Sequence, residues 1–238
     1  MSLWQLAIVF AISAIGAFVQ GSVGFGHNLI AAPVLALVDE RFVPGPAIAA
    51  ATVLTALMAV RDRRGLHLGE IRTALIGRIP ATILAAATVA LLPPTPLAVL
   101  FAVLVLVAVA LTAMRPHLRP TPRTLLVAGG LSGYMGTATS IGGPPMAMLY
   151  ANEEGRRMRG TLAGYFLVGS VFSVAALAAT GSFGLTEVGL SLVAAPGVVL
   201  GFLVSASGAR RLDAGHTRPA ILTVSALAAV SVLAKTVA

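Results

Sequence analysis

The chain has 238 residues, of which 58% are hydrophobic and only 10% are charged, and its mean hydropathy is +0.96. One water-soluble core cannot absorb so much apolar sequence, so the composition predicts an integral membrane protein and excludes an ordinary soluble domain. The net charge of +8 does not indicate a nucleic-acid partner, because the arginines lie in short links between apolar segments.

The apolar segments predict an all-α fold in which two segments are broken by glycine-rich stretches. The first broken segment covers about 3–38, with its break at 21–28, and the second covers about 124–152, with its break at 136–145. Three uninterrupted spans follow each of them, long enough to cross roughly 30 Å of hydrocarbon. These spans are predicted at about 44–60, 71–92 and 96–114, then 160–180, 186–207 and 218–235.

This order divides the chain into two repeat halves, 1–120 and 121–238, that form one transmembrane unit. Gly26 and Gly142 are 116 residues apart, and Glu70 and Glu187 are 117 apart, so one register fits two landmarks. Each broken segment is expected to enter and leave on the same side as a re-entrant hairpin. Three full crossings per half then invert the second half relative to the first.

Arginine placement predicts the orientation, because positively charged links stay on the cytoplasmic side. Four links are rich in arginine, whereas the links at 39–43, 93–96 and 180–187 contain only Arg41. Both termini are therefore expected outside, and the first apolar stretch is expected to stay in the protein. The arginines assigned to the cytoplasmic side are Arg61, Arg63, Arg64, Arg72, Arg115, Arg119, Arg123, Arg156, Arg157, Arg159, Arg210, Arg211 and Arg218.

The two breaks predict a binding site. Unpaired backbone groups survive in a bilayer only where protein or a cavity covers them. The half-helix after each break, at 26–29 and 142–146, starts with free N–H groups and a positive dipole end, which attract anions. We therefore expect both to point at one small anion near mid-membrane. The plainer alternative is that both breaks are kinks at helix contacts.

Polar side chains near the breaks supply further hydrogen-bond donors. His27 could carry a proton or only satisfy a backbone carbonyl. No cysteine occurs, and no second histidine or carboxylate lies at ligand spacing from His27, so neither a metal nor another cofactor is expected. The predicted substrate-binding residues are Gln20, Ser22, Gly24, Gly26, His27, Asn28, Arg78, Thr139, Ser140, Gly142, Gly143 and Pro144.

Arg78 is the deepest cation in the predicted spans. It could neutralise a substrate anion in a cavity, or its long side chain could reach back to the cytoplasmic surface. The tyrosines Tyr134, Tyr150 and Tyr165 could line the transport path or lie at the membrane interfaces, and the interfacial position is favoured. Small residues four apart, such as Gly129 and Gly133, are expected to let helices pack closely.

Residues 24–33 form a Gly-x-Gly start followed by an aliphatic run to a proline, and residues 140–145 echo this motif in the second half of the doubled four-segment order. These features give the chain a resemblance to the TauE/SafE family of sulfite and organosulfonate exporters. The resemblance implies a bacterial inner-membrane carrier that moves sulfite or related small sulfur-containing anions outward. The family usually has three consecutive glycines in this motif. In this chain His27 and Asn28 replace two of them in the first half, and Pro144 and Pro145 follow two glycines in the second half.

Several alternatives to such an exporter stay open. The breaks could form the filter of an anion channel, or the substrate could be a carboxylate or another small anion. A membrane enzyme using His27 as base lacks an obvious nucleophile or paired carboxylates. A purely structural subunit would have little use for two interrupted helices. The expected partners are a small anion and the lipid bilayer, the oligomeric state is unknown, and no enzymatic activity is expected.

Overall fold

The computed structural model describes residues 1–114, 118–151 and 153–208, and every regular element within them is helical. The predicted span at 218–235 lies outside the described residues, as do Arg115, Arg210, Arg211 and Arg218. The helices are α1 Leu3–Val23, α2 His27–Val38, α3 Gly45–Arg61, α4 Leu68–Leu91, α5 Pro94–Ala113, α6 Pro122–Thr139, α7 Gly143–Ala147, α8 Gly155–Ala179 and α9 Leu185–Gly208, with short 3-10 turns at Glu40–Phe42, Arg63–Gly65 and Met148–Tyr150.

The helices match a protein that crosses a membrane several times. Among the described residues, α1, α4, α5, α8 and α9 are long and apolar enough to span a bilayer. Their outer faces expose aliphatic side chains such as Ile76, Leu84 and Leu203. Because water would penalise so large an apolar surface, these faces suit contact with lipid.

Both predicted breaks are present, but their arms are unequal. The 21 residues of α1 are enough to cross the hydrocarbon alone, while α2 has 12 residues. In the second half, α6 has 18 residues and α7 only five. The second returning arm is therefore a single helical turn extended by the 3-10 turn, and not the half-helix that the sequence predicts.

The first break depends on two glycines with left-handed backbone. Gly24 has φ 113° and ends α1, with its N–H donating to the carbonyl of Gln20, and Gly26 has φ 112° immediately before α2. A side chain would be strained at either position. In the second break the left-handed residue is Ser140, with φ 63°.

The helices pair in a pattern that repeats between the halves. The two most extensive contacts join α4 to α6 and α1 to α9. If α1–α4 correspond to α6–α9 in order, α1 corresponds to α6 and α4 to α9. The α1–α9 contact and the α6–α4 contact are then equivalent. The contacts of α3 with α9 and of α8 with α4 correspond in the same way. This pairing is what a two-fold repeat requires, and the inversion itself stays a prediction.

Close packing at small residues explains how these pairs form. A Cβ added to Gly129 would lie 2.1 Å from the carbonyl oxygen of Ala74, and one on Gly201 would lie 2.1 Å from that of Ala14. Only a glycine lets the backbones approach so closely. The predicted packing role of the small-residue pairs is confirmed at these positions.

Links with similar charge lie at the same end of the helices. Gly65 packs against the Arg156 carbonyl, and Gly160 against that of Asp62, which brings two arginine-rich links together. Gly45 packs against Phe183 at the arginine-poor links. The grouping agrees with the predicted sidedness, while the cytoplasmic assignment of the arginine-rich end stays a prediction.

Candidate functional site

The two breaks meet in the interior. The Asn28 Nδ2 group donates to the carbonyl of Ser140 at 3.1 Å and to that of Ala47 at 3.3 Å. A Cβ added to Gly143 would lie 3.3 Å from the Phe25 ring. Asn28 thus ties the second break and the start of α3 to the first turn of α2.

A cavity of about 60 Å³ lies between the breaks. This is room for roughly four water molecules, a size that suits a small anion. Eight of the predicted binding residues line it, together with residues that the sequence did not single out. The eight are Gln20, Gly26, Asn28, Arg78, Ser140, Gly142, Gly143 and Pro144, and the others include Thr55, Phe166 and Ser170.

Arg78 supplies the positive charge of this cavity. Its side chain is buried, with 4% of the residue exposed, so it does not reach back to the surface. Its Nη1 and Nη2 atoms lie 3.4 Å from the hydroxyls of Ser132 and Ser173. No carboxylate among the described residues forms an ion pair with it, and its Nε has no hydrogen-bond partner.

Two glycines and one tyrosine pack against the Arg78 side chain. A Cβ on Gly169 would lie 2.1 Å from Arg78 Nε, and one on Gly133 would lie 2.9 Å from its Cγ. The guanidinium carbon stands 5.0 Å from the centre of the Tyr165 ring, a cation–π distance. Tyr165 is fully buried, so the expectation of an interfacial position was wrong for this residue, because it packs under a buried cation.

Four predicted binding residues lie outside the lining of the cavity. Ser22 donates to the Phe18 carbonyl, and Thr139 donates to the Met135 carbonyl while accepting the N–H of Ile141. Both hydroxyls are therefore used locally. Gly24 packs against Arg159 at the arginine-rich end.

His27 is the fourth of these residues. Its side chain is buried, and its Nδ1 lies against Gly16 without a hydrogen-bond partner. Its backbone N–H donates to Gln20 Oε1 at 3.0 Å. His27 thus packs the first turn of α2 against α1, and it does not line the cavity.

Backbone donors contribute less than the sequence predicts. The backbone N–H of His27 is taken by Gln20, and Pro144 and Pro145 have no N–H. The side-chain amide of Asn28 is also used, because its Nδ2 donates to two carbonyls. A five-residue helix also has only a small dipole. Arg78 is therefore the main source of positive potential at this cavity.

Sequence reasoning missed the residues that position Arg78. Ser132, Ser173 and Gly169 lie on α6 and α8, far from Arg78 along the chain. Their only sequence signal is small or polar character inside apolar helices, and helix packing explains that equally well.

A larger cavity of about 650 Å³ lies elsewhere, at the arginine-rich end of the helices. It is a surface basin, since Arg63, Arg64 and Arg156 on its wall are exposed. Its volume is large because the basin is open at the surface of the protein. The smaller cavity is the candidate transport site, because the breaks and the buried cation meet there.

Comparison with known proteins shows a family match. The family model described as sulfite exporter TauE/SafE matches residues 8–232 of the chain. No curated protein and no solved structure matches the chain.

Proposed function

The chain belongs to the TauE/SafE sulfite exporter family, and we propose that it is a secondary carrier that exports sulfite or a related small sulfur-containing anion. The family is one of membrane transporters, in keeping with a multi-pass helical protein. In this proposal the anion binds in the cavity between the two breaks. The protein lies in a bacterial inner membrane with its arginine-rich links in the cytoplasm.

The observation that carries the proposal is that the charge of Arg78 has no ion-pair partner among the residues that the structure describes. An arginine keeps its positive charge at physiological pH, and burial of a charge without a partner costs several kcal/mol. In this proposal the transported anion completes the pair. Its planar guanidinium suits the oxygens of a sulfite or sulfonate group.

The arrangement of the helices supports alternating access. The pairs α1–α9 and α6–α4 correspond between the halves, and both breaks border one cavity. In carriers with inverted repeats, such a site is exposed to either side by movement of one repeat against the other. We propose this movement here.

The membrane potential can drive export by this mechanism without ATP. An inside-negative potential of 100 mV favours exit of each negative charge by about 2.3 kcal/mol, roughly fiftyfold at equilibrium. No phosphate-binding loop occurs in the sequence.

The test is transport of radiolabelled sulfite in proteoliposomes by the wild type and by Arg78→Met. We expect wild-type uptake to follow an imposed potential and to show counterflow, and Arg78→Met to abolish both. The purified Arg78→Met protein should also melt at a higher temperature than the wild type without anion, because an unpaired buried charge has been removed.

Arg72→Met is the matched control, since Arg72 is on the same helix but exposed. It should transport like the wild type. Full sulfite transport by Arg78→Met would contradict the proposed site, and potential-driven flux without counterflow would indicate a channel.

A further inference from the structure

The basin at the arginine-rich end combines strong positive charge with the tip of the first break. We call it the arginine basin. Its walls are formed by the ends of α3, α8 and α9 and by the link after α3. The residues that line it are Val60, Arg61, Asp62, Arg63, Arg64, Arg156, Arg159 and Ala206.

Most of this positive charge has no ion-pair partner within the described part of the chain. Among the described residues, five guanidinium groups line the basin together with one carboxylate, that of Asp62. Arg63, Arg64 and Arg156 form no ion pair with any residue that the structure describes. A concave surface lined by one sign of charge focuses the field and concentrates oppositely charged solutes.

The paired part of the basin holds the first break in place. Arg61 Nη2 donates to the Gly21 carbonyl near the end of α1 and lies 2.8 Å from Asp62 Oδ2. Asp62 Oδ1 lies 3.6 Å from Arg159 Nε, and the Arg159 side chain packs against Gly24 in the break. Asp62 is 8% exposed, so it links the two arginines from a buried position.

The basin and the central cavity border the same short stretch of chain. Gln20 lines the central cavity, while the next residue, Gly21, is bound by Arg61 of the basin. The end of α1 therefore connects the residues of the basin with those of the central cavity.

We propose that the arginine basin is a second anion site, and that an oxyanion bound there competes with the Asp62 carboxylate for Arg61 and Arg159. The competition loosens the contacts of these arginines with Gly21 and Gly24, at the end of α1 that also contributes Gln20 to the central cavity. The inference deepens the proposed transport function and rests on it.

The ligand chemistry is that of a small oxyanion. Two sources carry it, a free anion such as sulfite and the phosphate of an anionic lipid headgroup. Both would bind the exposed guanidinium groups of Arg63, Arg64 and Arg156.

The experiment counts the sulfite ions bound per chain by equilibrium dialysis of radiolabelled sulfite at low ionic strength, with the full chain in a neutral detergent. The wild type should bind two, and Arg63→Ala/Arg64→Ala should bind one, or bind the second at least tenfold more weakly. The control Arg72→Ala/Arg123→Ala removes the same charge from exposed positions outside the basin and should still bind two.

The two proposals fail separately in this experiment. If Arg63→Ala/Arg64→Ala binds like its control, the basin site is overturned while the central site stands. If Arg78→Met still binds two ions, the central site is overturned instead. A second variant, Asp62→Asn, removes the competing charge and should tighten binding at the basin; unchanged affinity would overturn the competition.

Repeating the dialysis in nanodiscs distinguishes the source of the anion. In discs of neutral lipid only, two sulfite ions should bind. If discs with anionic phospholipid bind only one, and Arg63→Ala/Arg64→Ala removes that difference, the basin takes lipid phosphate as well. Binding of one ion in every medium would overturn the second site.

Discussion

At the scale of single residues, the protein keeps a cation where nothing in the described chain neutralises it. Ser132, Ser173 and Tyr165 offer Arg78 hydroxyl oxygens and a ring face. These are weaker partners than a carboxylate, because none carries a full negative charge. The buried charge is therefore costly, and under the proposed function a bound anion would relieve that cost.

Gly169→Ala tests whether the position of the guanidinium matters. The new Cβ would lie 2.1 Å from Arg78 Nε, so the flexible side chain must move while the helices stay in place. Loss of one charge-assisted hydrogen bond, about 1.5–3 kcal/mol, should raise the Kd for sulfite roughly ten- to a hundredfold.

Titration calorimetry with sulfite measures this change. Gly189→Ala is the control, since a Cβ there meets nothing within 4 Å and the substitution brings the same gain in helix propensity. An unchanged affinity in Gly169→Ala would show that the guanidinium needs no fixed position.

The sequence revealed Arg78 but not its surroundings. A charged residue inside an apolar span can be recognised from the sequence alone, and it indicates a functional role because such a charge is costly in a membrane. Whether it reaches the surface or points inward depends on Gly133 and Gly169, which lie on other helices. Tertiary contact of this kind leaves no local pattern, and for that reason the position of Tyr165 was also predicted wrongly.

At the scale of helices, glycine and proline fix most boundaries. The predicted broken segments and spans agree with α1–α9 to within a few residues, because left-handed glycines, prolines and charged links end helices in any context. The short α7 was not predicted. A Pro-Pro start reads as the first turn of a helix, and nothing in the sequence shows that α7 ends at Ala147.

The pairing of α4 with α6 gives a stability test at this scale. In Gly129→Ala the new Cβ would lie 2.1 Å from the Ala74 carbonyl oxygen, part of a backbone that cannot turn aside. Overpacking should lower the free energy of unfolding by about 1–3 kcal/mol. Thermal unfolding in detergent should show the melting temperature falling by roughly 5 °C.

The neighbouring glycine provides the matched control. A Cβ on Gly130 would lie 3.5 Å from the Gly77 carbonyl oxygen, an ordinary contact. Gly130→Ala should keep or raise the melting temperature through helix propensity. Equal effects of the two substitutions would mean that α4 and α6 are not in close contact.

At the scale of the whole molecule, the halves are joined by contacts that no single half contains. Asn28 of the first half binds the Ser140 carbonyl of the second, and Phe25 packs on Gly143. The sequence predicted that two breaks would share a site because their spacing repeats. It could not show which atoms meet, since the partners are more than 110 residues apart.

The meeting of the breaks is central to the account, and cross-linking tests it most directly because the chain has no cysteine of its own. A Cβ on Gly143 would lie 3.5 Å from that of Phe25, within the range for linked cysteines. The pair Phe25→Cys/Gly143→Cys is treated with dibromobimane, which joins thiols through thioethers, because sulfite attacks disulfides. The control pair is Gly69→Cys/Gly189→Cys, at two positions with open surroundings.

The decisive measurement is sulfite counterflow in proteoliposomes after this cross-linking. We predict that the Phe25→Cys/Gly143→Cys protein is cross-linked within one chain and stops transporting, while the same protein before treatment and the treated control pair continue. Absence of the cross-link, or full counterflow with the breaks covalently joined, would contradict the account.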